Sequence, residues 1–231
     1  MHKVKGLAEF VIIGDKRVFE RVSSAGAQAS GVKFLDLRNV PRDHFRFGKV
    51  SPDYGKASIE YLDLALGLLK EKKFDCLVTC PVSKESINLA GYKFTGHTEY
   101  LASRTRSKDI LMLLLNNTLR ISLLTRHIPL RQVGPKLNKG DISQTILMTY
   151  RCLKEYFDIL HPRIVVCGMN PHASDNGVLG DEENMVLRPA IRALNKKISF
   201  LEGPLPADSA IAKASHKKYD AVVASYHDQA L

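Results

Sequence analysis

The chain of 231 residues has no tryptophan and only four cysteines, Cys76, Cys80, Cys152 and Cys167. No two of them form a Cys-x-x-Cys pair, so neither a disulfide framework nor a zinc-ribbon or redox motif is indicated. Three of the four sit in or at the end of apolar stretches. That pattern predicts buried, reduced thiols and a cytoplasmic location. Long apolar runs are also missing. The longest, Ile110 to Leu115, ends at Asn116-Asn117 and is far too short to span a membrane. The N-terminus has basic residues but lacks the apolar segment of a secretory signal. There is no Gly-x-Gly-x-x-Gly, so nothing supports a Rossmann-type cofactor loop. No segment is repetitive or of low complexity. The formal net charge is +10, yet no long basic run with interleaved aromatics exists, which argues against a nucleic-acid interface. A scattered positive surface suits a small anionic substrate and a phosphate-bearing cofactor.

With 45% hydrophobic residues, the chain can bury a sizeable core. Short β-branched runs alternate with amphipathic segments, which predicts a mainly parallel sheet in an α/β fold. Strands are expected at Phe10–Ile13, Lys33–Leu37 and Phe74–Thr79. Helices are expected from Asp15 to about Ala27 and from Ser51 to Lys73, the latter with Leu62, Leu66 and Leu69 on one face. Ser83 should cap a short helix ended by Gly91. Segments 110–115 and 119–124 read as a hairpin turned at Asn116-Asn117. A helix is expected from Asp141 to Phe157, and a strand at 198–201 before a rigid Gly203–Asp208 loop.

The informative pattern recurs three times. Ile121–Thr125 is strand-like and runs into Arg126-His127. Ile164–Cys167 is strand-like and runs through Asn170-Pro171 into His172. Ala221–Ala224 is strand-like and runs into Tyr226-His227-Asp228. Parallel strands place ligands at their carboxyl ends, so the three imidazoles can converge. Three neutral imidazoles with a free coordination position describe a catalytic divalent-metal site. For any one of them the plainer alternative is an ordinary loop histidine. His2, His44, His161 and His216 lie in polar, basic or terminal contexts and read as solvated. Gly96-His97-Thr98 opens a helix with imidazole and hydroxyl donors, a ready anion site or simply a helix start.

Six stretches, in order, resemble the 4-hydroxythreonine-4-phosphate dehydrogenase family: Thr79–Lys84, Phe94–Glu99, His127–Arg131, Asn170–Ala173, Gly203–Asp208 and Tyr226–Gln229. The resemblance implies a fold of the isocitrate/isopropylmalate dehydrogenase type. That fold has two α/β domains, here 1–92 and 93–231, with the site in the cleft between them. It implies a divalent metal (Zn, Mg, Co or similar) on His127, His172 and His227, shared across a homodimer. In our reading His227 completes the neighbour's site. It implies substrate contacts from His97 and Thr98. Asp208 and Asp228 are candidates to orient ligands or relay a proton, with a loop cap and a solvated carboxylate as the alternatives. Lys84 is a candidate proton shuttle, or a structural residue after Pro81. The implied reaction is NAD- or NADP-dependent oxidation of 4-phosphooxy-L-threonine, then decarboxylation to 3-amino-2-oxopropyl phosphate. The residues that bind the cofactor are not identified. A related phosphorylated four-carbon sugar acid is the alternative substrate. A non-catalytic metal- or anion-binding role is the alternative of a different class.

The chain departs from the family pattern at Cys80 (usually Gly), Ser83 (usually Asn) and Ser174-Asp175 (usually Gly-Glu). Relative to the family it is expected to be shortened at both ends, lacking an N-terminal strand–loop and a C-terminal tail. That tail carries substrate- and cofactor-binding residues.

Overall fold

The computed structural model describes residues 6–22, 32–41 and 45–229, and the chain divides into two compact units, 1–108 and 109–231. In the first unit, β1 (Val11–Gly14) and β2 (Lys33–Asp36) pair in parallel, Val11 opposite Lys33 and Gly14 opposite Asp36. Helix α1 (Lys16–Val22) follows β1; its expected extension to Ala27 falls outside the described residues, as do His2 and His44. Helix α2 (Pro52–Lys70) begins with proline at its first turn, where the missing N–H costs nothing. It buries Ala57, Ile59, Leu62, Ala65 and Leu66 along one stripe. Ser83 caps α3 (Lys84–Leu89) by accepting from the Ser86 N–H at 3.2 Å, and Gly91 past its end takes φ 89°. A Cβ on Gly55 would lie 2.1 Å from the Ser86 carbonyl oxygen, so α2 and α3 meet only because that position is glycine. Ile59, Leu62, Ile87 and Phe94 form the core here.

One expectation fails in this unit. Phe74–Thr79 forms no strand. Its β-branched and aromatic content favours extension, but a ladder requires a neighbour, and among the described residues it has none. Val78 is 84% exposed. Cys76 and Cys80 are accordingly exposed thiols, not buried ones. The first compact unit runs to residue 108 and takes in α4 (His97–Thr105), which is tied to α2. Tyr100 Oη and Arg104 Nε both donate to Asp63 Oδ1, at 2.6 and 2.9 Å.

The second unit holds a five-stranded sheet in the order β3-β4-β7-β5-β6. Its strands are β3 (Leu113–Leu115), β4 (Arg120–Leu123), β5 (Arg163–Cys167), β6 (Phe200–Leu205) and β7 (Ala221–Ala224). β3 and β4 form the expected antiparallel hairpin, and β4, β7, β5 and β6 run parallel. The crossovers are α6 (Lys139–Tyr156), preceded by the short α5 (Val133–Lys136), then α7 (Arg188–Leu194) and α8 (Ala207–Ser215). Helix α6 starts at Lys139, two residues before the expected Asp141, because Asn138 caps it and accepts from the Asp141 N–H at 2.9 Å. β6 absorbs Gly203-Pro204-Leu205, expected as loop.

Side chains alternate across the sheet. Ile164, Val166, Ala221 and Val223 face a core completed by Ile142, Ile146, Leu153, Leu187 and Ile191. Val165, Cys167, Val222 and Ala224 face the opposite core with Ala210, Ala214 and Tyr219. Both faces are covered, as near-continuous apolar strands require.

Candidate metal and substrate site

The registers fix where the three histidines emerge. Leu123 lies opposite Ala224, and Val223 lies opposite Val166. β4, β7 and β5 are therefore adjacent and end at one edge of the sheet. His127 follows Leu123 by four residues, His227 follows Ala224 by three, and His172 follows Cys167 by five. The sequence expectation of three parallel strands delivering three imidazoles at one edge holds in this topology.

Within the chain the rings do not all meet. His127 and His227 have ring centroids 5.8 Å apart, inclined at 47°. Two imidazoles on one ion, at metal–nitrogen distances of about 2.1 Å and near-tetrahedral angles, place their centroids roughly 5 Å apart. The observed separation is close to that value, and the donor type fits a divalent cation. His227 Nδ1 lies 2.7 Å from Asp228 Oδ1. With Nδ1–H donating to that carboxylate, Nε2 is left as the lone-pair nitrogen, the usual carboxylate–histidine–metal arrangement. His172 is exposed and stands outside the pair. Among the described residues no three His, Cys, Asp or Glu side chains are grouped to hold a metal. Within one chain it is the rings of His127 and His227 that approach each other; the expectation places His172 beside His127 and gives His227 to the neighbour's site.

The loop carrying His172 has a feature that the sequence did not announce. His172, Ala173, Ser174, Asp175 and Asn176 all lie in the left-handed region, with φ between 49° and 67°. They make a left-handed turn of five non-glycine residues, at a cost of roughly 1–2 kcal/mol each. Ala173 and Ser174 are buried within it. The turn is clamped at both ends. Ala173 N donates to Asn170 O at 3.1 Å and Leu179 N to Ser174 O at 3.0 Å. Glu183, fully buried, accepts from Asn170 N at 2.8 Å and Asn170 Nδ2 at 3.0 Å. Burial alone raises the Glu183 pKa, but the Asn170 hydrogen bonds outweigh it and the net shift is downward. Glu183 is therefore a buried anion that holds the loop. The sequence offered only an acidic helix start at Asp181–Glu183. A carboxylate that caps a distant loop is indistinguishable there from one that complements a helix dipole.

The remaining candidates are placed as follows. Asp228 is exposed beside His227. Asp208 is exposed in the first turn of α8, where its Oδ1 accepts from Ser209 N at 2.6 Å. Lys84 is exposed at the start of α3. His97 and Thr98 open α4, with Gly96 at the cap. Four buried polar atoms in these regions have no protein partner: His97 Nε2 in the first unit, and Arg126 Nη1, Ser174 Oγ and Ser225 Oγ in the second. An orphaned His97 Nε2 suits a substrate contact. Arg126, next to His127, was missed; an arginine following a strand carries no signal by itself.

Residues 6–231 match the model of the pyridoxal phosphate biosynthetic protein PdxA. The chain belongs to this family. A 4-hydroxythreonine-4-phosphate dehydrogenase of Desulforapulum autotrophicum is 41% identical over 237 residues, covering 96% of this chain and 70% of the relative. A D-threonate 4-phosphate dehydrogenase of Cupriavidus necator is 37% identical over 214 residues, covering 92% of this chain and 64% of the relative. The crystal structure of the 4-hydroxythreonine-4-phosphate dehydrogenase from Klebsiella pneumoniae superposes with a TM-score of 0.87 at 32% identity, covering 95% of this chain and 71% of that one. The chain spans from 56% to 72% of the length of the curated relatives it matches. Its fold is the isocitrate dehydrogenase-like α/β fold of this family. No helix among the described residues is long and apolar enough to cross a membrane.

Proposed function

We propose that the chain is a metal-assisted dehydrogenase that oxidises 4-phosphooxy-L-threonine with NAD or NADP and releases carbon dioxide. The observation that carries this reading is the delivery of His127, His227 and His172 from adjacent parallel strands to one sheet edge. The 41% identity to a 4-hydroxythreonine-4-phosphate dehydrogenase supports the substrate class.

In the reaction the carbinol carbon gives a hydride to the nicotinamide ring and its hydroxyl gives up a proton. The resulting 2-amino-3-oxo acid phosphate then loses its carboxylate as carbon dioxide, leaving 3-amino-2-oxopropyl phosphate. A divalent cation (Zn, Mg, Co or similar) held by the imidazoles would lower the pKa of the substrate hydroxyl and polarise the ketone that replaces it. His127 and His227 offer neutral nitrogen donors, which leave the charge of such a cation uncompensated. Asp228 Oδ1, 2.7 Å from His227 Nδ1, would accept a proton held on that nitrogen and leave Nε2 for the cation. Arg126 brings an unpaired guanidinium N–H to the same loop as His127, suited to an anionic group of the substrate. His97 Nε2 and the Thr98 hydroxyl supply contacts from the N-terminus of α4. Asp208 and Lys84 are the candidates for moving the hydroxyl proton; both are exposed and neither is committed to an ion pair among the described residues. We read the site as shared by two copies of the chain. That His172 stands exposed and apart from the pair supports a third imidazole contributed across a dimer.

A second substrate, D-threonate 4-phosphate, is favoured by the relative from Cupriavidus necator, 37% identical over 92% of this chain. It has a hydroxyl where 4-phosphooxy-L-threonine has an amine, so the same imidazoles serve both. The test is to follow reduced nicotinamide with each substrate, with NAD and NADP, before and after chelation. Turnover that chelation abolishes and added metal restores is expected. Turnover indifferent to chelation contradicts the mechanism. The substrate giving the larger kcat/KM decides between the two.

A further inference from the structure

The three histidine loops are not independent of one another. Thr125, two residues before His127, donates through both its N–H (3.2 Å) and its Oγ1 (2.7 Å) to the carbonyl of Ser225. Ser225, two residues before His227, donates its N–H to Gln229 Oε1 at 2.8 Å. Gln229 Nε2 in turn donates to the Gly168 carbonyl at 2.6 Å. Gly168 opens the loop to His172, and Glu183 grips that loop two residues further on, at Asn170. A hydrogen-bonded chain therefore runs Thr125–Ser225–Gln229–Gly168 across the carboxyl ends of β4, β7 and β5.

Gln229 is the one side chain in this lace that reaches between two strands through both of its polar atoms. The acceptor faces a backbone N–H and the donor faces a backbone carbonyl, so the amide orientation is fixed by its partners. The backbone around Gly168 is closely packed. A Cβ on Gly168 would lie 2.8 Å from the Ala173 Cα and 3.1 Å from Glu183 Oε1. Ser225 is fully buried.

We propose that Gln229, with Thr125, is a positioning residue for the metal site, setting the separation of the histidine loops and so the affinity for the cation. The proposal rests on the metal reading given above. Glutamine suits the position because a carboxylate would set a negative oxygen against the Gly168 carbonyl, and asparagine is one methylene too short to span the two contacts.

The test uses Co²⁺ as a probe, titrated into the metal-free chain and followed by the visible absorption of the bound ion and by calorimetry. Gln229→Ala is expected to weaken Co²⁺ binding by about 10- to 100-fold, the usual cost of removing a group that orients metal ligands, and to alter the visible band. Thr125→Val keeps the shape but loses the Oγ1 contact, and is expected to weaken binding in the same direction. It also keeps the question open to measurement should Gln229→Ala fold poorly. Tyr219→Phe serves as the control. It deletes the Tyr219–Glu202 hydrogen bond at the opposite, amino-terminal end of β7, and is expected to cost stability while leaving Co²⁺ affinity unchanged. Wild-type affinity in both Gln229→Ala and Thr125→Val overturns the positioning role and leaves the metal reading intact. Failure of the wild-type chain to bind Co²⁺ overturns the metal reading itself, and the two failures are thereby distinguished.

Discussion

Replacing Ser174 by glycine is expected to make the protein more stable. Ser174 has φ 67° and ψ 0° in the middle of the left-handed turn. It is fully buried, and its hydroxyl has no partner. A left-handed L-residue costs about 1–2 kcal/mol, which glycine avoids. An unpaired buried hydroxyl costs about 1–3 kcal/mol, and glycine removes it. Against this, glycine loses roughly 0.5–1 kcal/mol more backbone entropy on folding. The void left by Cβ and Oγ costs about 1 kcal/mol. The net is a gain of about 1 kcal/mol, or a rise in Tm of several degrees for a unit of this size. Ser174→Ala separates the two contributions: it removes the hydroxyl but keeps the strained Cβ, so its gain should be smaller. Urea denaturation followed by circular dichroism measures all three proteins. A Ser174→Gly variant less stable than wild type by 1 kcal/mol or more would show that Ser174 makes a contact outweighing its strain, and the account of this turn would be wrong.

Glu183→Gln tests the clamp on the same loop. The amide keeps one acceptor for Asn170 but turns an N–H toward the other donor, so a loss of about 1–3 kcal/mol is expected; an unchanged denaturation midpoint would contradict the clamp. Two carboxylates of the second unit contribute to the pH dependence of stability. Burial raises the pKa of both Glu183 and Asp220, but hydrogen bonds from Asn170 and Arg163 respectively bring each below its ordinary value. Groups depressed in the folded state stabilise it above the unfolded pKa. That stability should fall away as pH drops through about 4 and below, and the decline should be shallower in Glu183→Gln; a pH-independent stability between about 6 and 3 would contradict it. Thiol labelling should sort the cysteines. Cys76 and Cys80 are exposed and should react rapidly in the native protein. Burial pushes the Cys167 thiol up to about 12, so it should react only on unfolding; prompt native labelling of Cys167 would refute its placement in the sheet.

The second unit was the more legible half. Ile164–Cys167 and Ala221–Ala224 are β-branched runs bounded by loop residues, and a strand buried on both faces leaves such a run. The histidine after each run marked the edge proposed here for the cation. The first unit was harder to read. Phe74–Thr79 has the same composition as those strands but no ladder partner, and composition cannot report whether a neighbour exists. The left-handed turn at His172–Asn176 was invisible because five ordinary residues give no left-handed signal. The usual glycine at the position of Ser174 was the one hint, and it fell where the chain departs from the family. Gln229 was part of a quoted motif, yet its role depends on which two backbone groups the fold brings within its reach. The approach of the His127 and His227 rings likewise depends on loop conformation, which strand order does not determine.

The central claim is that the edge formed by β4, β7 and β5 holds a divalent cation through His127 and His227. Elemental analysis of the purified chain after saturation and desalting, beside His127→Ala and His227→Ala, tests it most directly. The account predicts bound metal in the wild type and little in either variant. Undiminished metal in both variants, or none in the wild type after saturation, would contradict it.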